Sequence, residues 1–186
     1  MVMGKSFDAL DPGMQSWLAA QHLFFVATAP SGDEGHVNCS PRSASSFRVL
    51  DPTTVAWLDG VGSGIETIAH LRQNGRIVLM FCAFEGAPRI VRLHGRGRAI
   101  ELGDPEFAAR RAAFGVQPFA ERAIVEVTVS RIADSCGYGV PLYHYEGERE
   151  QMGKWADKKG KDGALAYMRE KNVRSLDGLP GLRLPS

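Results

Sequence analysis

The chain lacks the features that mark secreted, membrane-spanning or nucleic-acid-binding proteins. No apolar run approaches the roughly 20 residues of a membrane helix, and residues 1–10 hold no apolar stretch long enough for a signal peptide. The 22 lysines and arginines nearly balance the 21 aspartates and glutamates, so the net charge of +1 gives no general footprint for nucleic acid. We therefore expect a cytoplasmic protein that binds neither nucleic acid nor membrane.

Cysteine and metal-ligand patterns are equally sparse. Cys39, Cys82 and Cys136 are an odd set, widely spaced and without a C-x-x-C pair, which argues against a disulfide framework or structural zinc. We expect reduced, mostly buried thiols. No cluster of ligand residues has metal-binding spacing, and no G-x-S-x-G motif surrounds a serine. Metal and serine-hydrolase chemistry are therefore disfavoured, and no metal site is predicted.

The order of apolar segments predicts a single α+β domain. With 186 residues and a hydrophobic fraction of 44%, the chain can bury one core, so we expect one domain over 1–186 with a helical extension from about 150. About six strands and several helices do not alternate strictly, which disfavours a doubly wound parallel sheet. The clearest strands are Leu23–Ala29, Ile77–Phe84 and Ile90–Leu102, and the clearest helices follow Asp11 and cover Lys154–Lys171.

A glycine-rich turn, Gly60–Gly64, joins a strand to the start of a helix. Free backbone N–H groups in this geometry can hold a phosphate. The spacing is not the dinucleotide fingerprint, because G-x-G-x-x-G would need glycine at Ile65. Ser63 and Glu66 also have the spacing of a capping box, in which both side chains satisfy backbone donors. Capping and phosphate contact both remain open.

A second polar group lies at the end of an earlier strand, in the segment Asn38-x-Ser40-Pro41-Arg42. It supplies an amide, a hydroxyl and a guanidinium, and the planar fork of arginine suits a pair of phosphate oxygens. An arginine in a surface loop is more often solvated, so spacing alone does not decide between the two interpretations.

Four basic residues, Arg92, His94, Arg96 and Arg98, share one face of a predicted strand. Four such groups repel one another unless solvent or acidic partners screen them. We expect pairing with acidic residues of a neighbouring strand and not a nucleic-acid patch. The intervening Gly95 and Gly97 indicate a bend or bulge.

Together these motifs resemble, in order, those of the FMN-binding split-barrel superfamily of pyridoxamine 5′-phosphate oxidase. The resemblance covers most of the chain. It runs through FFVATA, VNCSPR, VAWLD, GSGIETIAHLRQNGRIVLMFCAF and PRIVRLHGRGR to CGYGVP. It implies a six-stranded antiparallel split β-barrel with flanking helices, a homodimer and bound FMN.

The resemblance also implies which residues hold the cofactor. One set comes from a strand and the other from the turn and helix start. They are Asn38, Ser40, Pro41 and Arg42 on one side, and Ser63, Gly64, Glu66 and Thr67 on the other.

Two departures from the oxidase itself restrict the function. The oxidase has a basic Arg-Lys pair where this chain has Glu66-Thr67, so Arg42 is expected to carry more of the phosphate charge. The oxidase's C-terminal substrate segment has no counterpart, so vitamin B6 phosphates are not expected as substrates. We expect an FMN-dependent oxidoreductase with a small-molecule substrate, NAD(P)H as a candidate reductant, and unknown catalytic residues. A non-catalytic flavin or haem protein and a deazaflavin-dependent reductase are the alternatives.

Overall fold

A computed structural model describes residues 5–184, so the first four and last two residues of the predicted domain lie outside the described part. The described chain forms eight strands and four helices. The strands are β1 Lys5–Phe7, β2 Leu23–Thr28, β3 Asn38–Ser43, β4 Phe47–Asp51, β5 Thr54–Gly60, β6 Arg76–Cys82, β7 Ile90–Glu101 and β8 Glu121–Ser135. The helices are α1 Pro12–Ala19, α2 Glu66–Asn74, α3 Phe107–Arg111 and α4 Gln151–Lys171.

All strands belong to one antiparallel sheet in the order β3-β2-β6-β7-β8-β5-β4, with β1 added beside β8. The sheet curls around its main apolar cluster, because strands from its two halves meet there. Phe47 on the end strand β4 lies 5.4 Å from Phe24 on β2 and 5.0 Å from Phe81 on β6, measured between ring centroids. Leu18 of α1 packs into the same core. The predicted α+β antiparallel split barrel is confirmed.

The predicted number of six strands is too low. The additional strand β1 is three residues long and carries no apolar alternation; it forms because β8 is long enough to pair Lys5 with Asp134 at its far end. Strand β3 continues through Pro41 and pairs only with β2, so it is an edge strand, as proline requires.

The sequence signals for the start of α1 and for the end of α2 are confirmed. The Asp11 carboxylate accepts a hydrogen bond of 2.7 Å from the Met14 amide at the start of α1. Gly75 ends α2 with a left-handed φ of 69°. Helix α4 begins three residues before its predicted start and is interrupted at Gly160, where φ is 63°.

A second apolar cluster joins the C-terminal part of the chain to α2. Ile65 and Ile68, at the beginning of α2, pack with Met168 of α4 and Leu182 beyond it. Burial of this cluster fixes the start of α2 and the end of α4 close together. The glycine-rich turn before α2 therefore has the C-terminal segment as its neighbour.

The predicted bend in β7 is present and needs glycine. The register between β7 and β8 shifts between His94 and Gly95. A Cβ atom at Gly95 would lie 2.2 Å from the Thr128 carbonyl oxygen. Close backbone approach therefore excludes a side chain at this bulge.

We predict that Gly95→Ala lowers the free energy of unfolding by about 1 to 3 kcal/mol, because the Cβ forces two strand backbones apart. Urea denaturation measures the change. Gly103→Ala is the matched control, because a Cβ there has no atom within 4 Å. Equal stabilities of the two variants would contradict the prediction.

Candidate functional site

The most buried charged group among residues 5–184 is Asp59, at the end of β5. Its side chain is 0% exposed and lies between two guanidinium groups. Arg122 Nε donates to its Oδ2 at 2.7 Å, and Arg42 Nη1 lies 3.0 Å from its Oδ1. These three residues form the Arg–Asp–Arg cluster, whose formal charge is +1.

Strand register explains how the cluster assembles. Asp59 pairs with Ala123 and Gly60 pairs with Glu121, so Arg122 is an extra residue at a bulge in β8. Such a bulge re-aims a side chain, and here it directs Arg122 toward Asp59. Arg42 comes from β3, which is not a neighbour of β5 in the sheet. Its ion pair with Asp59 therefore connects two separated strands across the split in the barrel.

The charges around Asp59 control its ionisation. Burial by itself raises the pKa of this carboxyl group, but the positive charges of Arg122 and Arg42 outweigh that effect and hold the pKa below its usual value. Asp59 is therefore ionised at neutral pH. Its charge balances one of the two arginines and leaves the other uncompensated.

Arg122 also shapes the glycine-rich turn. Its Nη1 donates to the Gly64 carbonyl at 2.7 Å and approaches the Gly62 carbonyl at 3.3 Å. The turn leads into α2, whose N-cap is Ile65 and whose first turn receives no side-chain cap. The predicted capping box of Ser63 and Glu66 is therefore wrong. The early backbone N–H groups of α2 have no side-chain partner at the cap, as an anion site requires.

A pocket of about 150 Å³ lies between β3 and the beginning of α2. We call it the β3–α2 pocket. The turn, the helix start and the Arg–Asp–Arg cluster all contribute to its wall. It is lined by Asn38, Ser40, Arg42, Gly62, Gly64, Glu66, Thr67 and Arg122.

Two buried polar atoms of this pocket have no hydrogen-bond partner among the described residues. They are the hydroxyl oxygen of Ser40 and Nε of Arg42. Both groups can donate a hydrogen bond, and a buried donor without an acceptor costs about 1–3 kcal/mol. The pocket therefore presents donors that an anionic ligand would satisfy.

The opposite wall is held by a network of neutral side chains. The Asn38 amide donates to the hydroxyls of Thr28 and Thr67, at 3.2 and 3.0 Å. Thr28 in turn lies 3.0 Å from Nδ1 of His70, which is fully buried. Burial lowers the pKa of His70, against the opposing charges of Asp177 and Glu66, so the imidazole is neutral at neutral pH. The network fixes the Asn38 side chain at the mouth of the pocket.

Glu66 places a negative charge in the same pocket. Its Oε1 accepts a hydrogen bond of 3.1 Å from the Leu176 amide, and its Oε2 lies 2.7 Å from the position of a Cβ at Gly64. A carboxylate at a helix N-terminus is stabilised by the helix dipole. It also opposes a second anion there, so it weakens the positive potential that the Arg–Asp–Arg cluster supplies.

The structure brings most of the predicted site residues together. Six of the eight line the β3–α2 pocket. The remaining two, Pro41 and Ser63, are exposed and do not line it. A role for any of them in cofactor binding stays a prediction.

Two residues of the site, Asp59 and Arg122, were not among the predicted site residues. Arg122 directly precedes the alternating apolar residues Ala123, Val125, Val127 and Val129, which predict a strand that starts after it. A charged side chain next to or within an apolar strand indicates a buried ion pair, because burying a charge without a partner is very unfavourable. Asp59, directly after the apolar strand residues 54–58, carries the same signal.

The basic stripe on β7 has mixed partners. Arg98 pairs with Glu106 and Glu126, as predicted. Arg92 instead donates to the Ser135 hydroxyl and Arg96 to the Asn74 carbonyl, so the expectation of acidic partners is wrong for these two.

The remaining chemical expectations concern cysteines, metals and membranes. All three cysteines are free, but Cys39 and Cys136 are exposed, so the expectation of mostly buried thiols is wrong. They lie outside the β3–α2 pocket. Within residues 5–184 no group of three or more metal-ligating side chains converges, and no helix is long and apolar enough to cross a membrane.

Curled antiparallel strands around an anion-compatible pocket define a split-barrel protein, and comparison with known proteins identifies its family. The sequence profile of the pyridoxamine 5′-phosphate oxidase family matches residues 10–136. The chain belongs to this family. A pyridoxamine 5′-phosphate oxidase family protein of Aspergillus flavus, ustO, is 40% identical over 192 aligned residues, which cover 95% of this chain and 77% of the relative.

Solved structures support the fold. A single-residue variant of HupZ from Group A Streptococcus superposes with a TM-score of 0.53 at 24% identity, covering 68% of this chain and 99% of that one. A putative pyridoxamine 5′-phosphate oxidase of Lactobacillus delbrueckii gives 0.53 at 18% identity, covering 70% and 98%. At these identities the likeness establishes the fold alone.

Because of the Arg–Asp–Arg cluster, we predict that the free energy of unfolding depends on pH in the acid range. The folded-state pKa of Asp59 is lowered, so its contribution is complete above the unfolded pKa of about 3.9 and is lost as the pH falls through the folded value. Asp59→Asn leaves two guanidinium groups without their carboxylate and should lower the free energy of unfolding by about 3–5 kcal/mol at neutral pH.

Urea denaturation from neutral pH down to about pH 3 measures this effect. The difference between wild type and Asp59→Asn should shrink as the pH falls below the unfolded pKa. Asp33→Asn, on the exposed loop after β2, serves as the control. A difference that stays constant with pH would show that Asp59 does not titrate as argued.

Proposed function

We propose that the protein is a cytoplasmic FMN-binding flavoprotein that acts as an oxidoreductase on a small molecule. The observation that carries the proposal is the β3–α2 pocket, where unpartnered donors of Ser40 and Arg42 meet the positively charged Arg–Asp–Arg cluster. Membership of an oxidase family supports the redox assignment. When bound, the flavin would supply the hydride or electron transfer that no side-chain cluster of the site provides.

The pocket residues match the demands of a terminal phosphate. A phosphate monoester carries up to two negative charges and accepts several hydrogen bonds. Arg42 would donate through Nε, Ser40 through its hydroxyl, and α2 through its early backbone N–H groups. Arg122 provides the second cation that the sequence did not reveal, so Arg42 does not carry the charge alone. A volume of about 150 Å³ suits one phosphate group and not an extended nucleotide.

The protein chain would contribute binding and orientation. Asn38 lines the pocket, and two threonine hydroxyls accept hydrogen bonds from its amide nitrogen. The neutral His70 behind it supports that network without adding charge. These groups favour a polar, uncharged portion of the ligand next to its phosphate.

The proposal includes a homodimer, supported by the outer face of the sheet. Phe25 on β2 and Val78 and Met80 on β6 are only partly buried there. An open groove of about 810 Å³ borders this face, walled by aromatic side chains from β2, α1 and the segment after β8. In that segment Leu142 is 75% and Tyr143 63% exposed. Apolar surface of this kind is typical of a protein–protein contact.

The first test of function measures flavin binding by wild type and by two variants whose affinities for FMN should change in opposite directions. Protein purified without added cofactor should release FMN and not FAD on denaturation. In titrations of apo-protein, Arg42→Ala should weaken FMN about 30-fold to several thousand-fold, because a buried charge-assisted contact is lost. Glu66→Gln should strengthen FMN binding, because a negative charge leaves the pocket.

Arg92→Ala is the matched control. Arg92 lies on β7, away from the pocket, and donates only to Ser135 at 3.3 Å, so FMN affinity should change by less than about 1 kcal/mol. Loss of FMN in Arg92→Ala but not in Arg42→Ala would show that the phosphate lies on β7 and not beside β3. Anaerobic reduction of the loaded protein by NADH or NADPH tests the oxidoreductase assignment. A flavin that no pyridine nucleotide reduces would favour a storage or sensing protein.

The dimer is tested by light scattering. The wild type should have twice the monomer mass, and the double change Leu142→Ser, Tyr143→Ser should shift it toward monomer, because apolar contact area is removed. Val116→Ser is the control, since Val116 is 97% exposed on the loop before β8. A wild-type monomer that holds stoichiometric FMN would refute the dimer.

A further inference from the structure

The chain after α4 reaches the β3–α2 pocket, although the family profile ends at residue 136. We call this segment, Asn172–Leu182, the C-terminal tail. It contacts the pocket or its surroundings through three residues, which are Asn172, Leu176 and Asp177. The family profile therefore does not extend to this part of the site.

Asn172 makes the innermost of these contacts and is 0% exposed. Its Oδ1 accepts a hydrogen bond of 3.1 Å from Arg122 Nη1, and its Nδ2 donates to the Gly62 carbonyl at 2.8 Å. One side chain thus bridges the buried arginine and the glycine-rich turn.

The tail backbone folds tightly around Asn172 itself. The Asn172 carbonyl accepts a hydrogen bond of 2.8 Å from the Leu182 amide. A Cβ at Gly181 would lie 2.3 Å from the same oxygen. The backbones at the two ends of the tail are therefore too close for a side chain at Gly181. Asn172 is held from both its backbone and its side chain, which makes it a rigid support for Arg122.

The chemistry of asparagine matters at this position. Arg122 uses Nε for Asp59 and Nη1 for Asn172 and the turn. A neutral amide fixes the guanidinium without cancelling its charge. A carboxylate in its place would give Arg122 two negative partners and remove the positive charge of the cluster.

Two outer contacts hold the rest of the tail against the pocket wall. The Leu176 amide donates to Glu66, and Asp177 accepts hydrogen bonds from the backbone N–H and Nδ1 of His36, at 2.8 and 2.6 Å. These two adjacent tail residues thus connect the start of α2 to the loop before β3. Undocking of the tail would release Glu66, Arg122 and this loop together.

We propose that Asn172 is a positioning residue that holds Arg122 for a phosphate-bearing ligand, and that docking of the C-terminal tail and ligand binding in the β3–α2 pocket are coupled. The proposal rests on the proposed function, whose ligand is FMN. Coupling is reciprocal: if a docked tail favours the ligand, the ligand favours the docked tail by the same factor.

The first experiment compares FMN with riboflavin, which lacks the phosphate. Asn172→Ala should weaken FMN about 10- to 100-fold, the effect of losing a hydrogen bond to a charged group, and should leave riboflavin affinity nearly unchanged. Asn172→Asp should lower the ratio of FMN to riboflavin affinity at least as far, although it can still accept from Arg122. Arg174→Ala is the control, since its side chain donates only to the Gly178 carbonyl in the exposed tail. An unchanged ratio in both Asn172 variants, with FMN still bound by wild type, would overturn the proposal and leave the proposed function standing.

Hydrogen exchange provides the second measurement and needs only wild-type protein. FMN should slow exchange at the Leu176, Gly181 and Leu182 amides several-fold, and riboflavin should slow it less. If FMN leaves the exchange rates of these amides unchanged, the coupling is refuted, even if the Asn172 variants fail to fold. Wild type that binds neither flavin would overturn the proposed function. Inorganic pyrophosphate then replaces FMN as the probe: protection of the tail amides supports the role of Asn172, and absence of protection rejects it.

Discussion

The ion pair between Arg42 and Asp59 joins β3 to β5, two strands that are not neighbours in the sheet. Arg42 reaches Asp59 from the edge strand β3, and Arg122 reaches it from a bulge in β8. Removing one member of a buried ion pair is far more unfavourable than forming the pair is favourable. Each of the three residues therefore constrains the others, and the position of the β3–α2 pocket follows from that mutual constraint.

The charge of the site comes from several elements. The strand β3, the glycine-rich turn, the start of α2 and Arg122 all lie within the matched residues 10–136. Glu66 brings a negative charge to the pocket and Arg122 a positive one, and Asn172 of the C-terminal tail accepts a hydrogen bond from Arg122. The balance of charge in the pocket is thus set by residues distant in sequence.

Helix ends that depend on neighbouring residues were predictable from the sequence. Features that depend on the register between distant strands were not. Asp11 and Gly75 mark helix ends through their own side-chain or backbone chemistry, so the sequence identifies them. Ser63 has the spacing of a capping residue, yet Arg122 draws the carbonyls of Gly62 and Gly64 toward itself and the helix starts at Ile65 without a side-chain cap. No local pattern contains that outcome, because it depends on a bulge in the distant strand β8. Asn38, Ser40 and Arg42 were predicted from their donor chemistry and from the family resemblance, and all three line the pocket.

Gly160 divides α4 into two helical halves. Its φ of 63° and ψ of −180° interrupt the helical path between a polar first half and a second half that buries Ala164 and Met168. In an unbroken helix, inserting or deleting one residue rotates everything beyond it by about 100°. At Gly160 that rotation is absorbed by the break. A change of length before Gly160 therefore leaves Met168 and Asn172 oriented toward the barrel, and its effect falls on the packing of Trp155 against Tyr167.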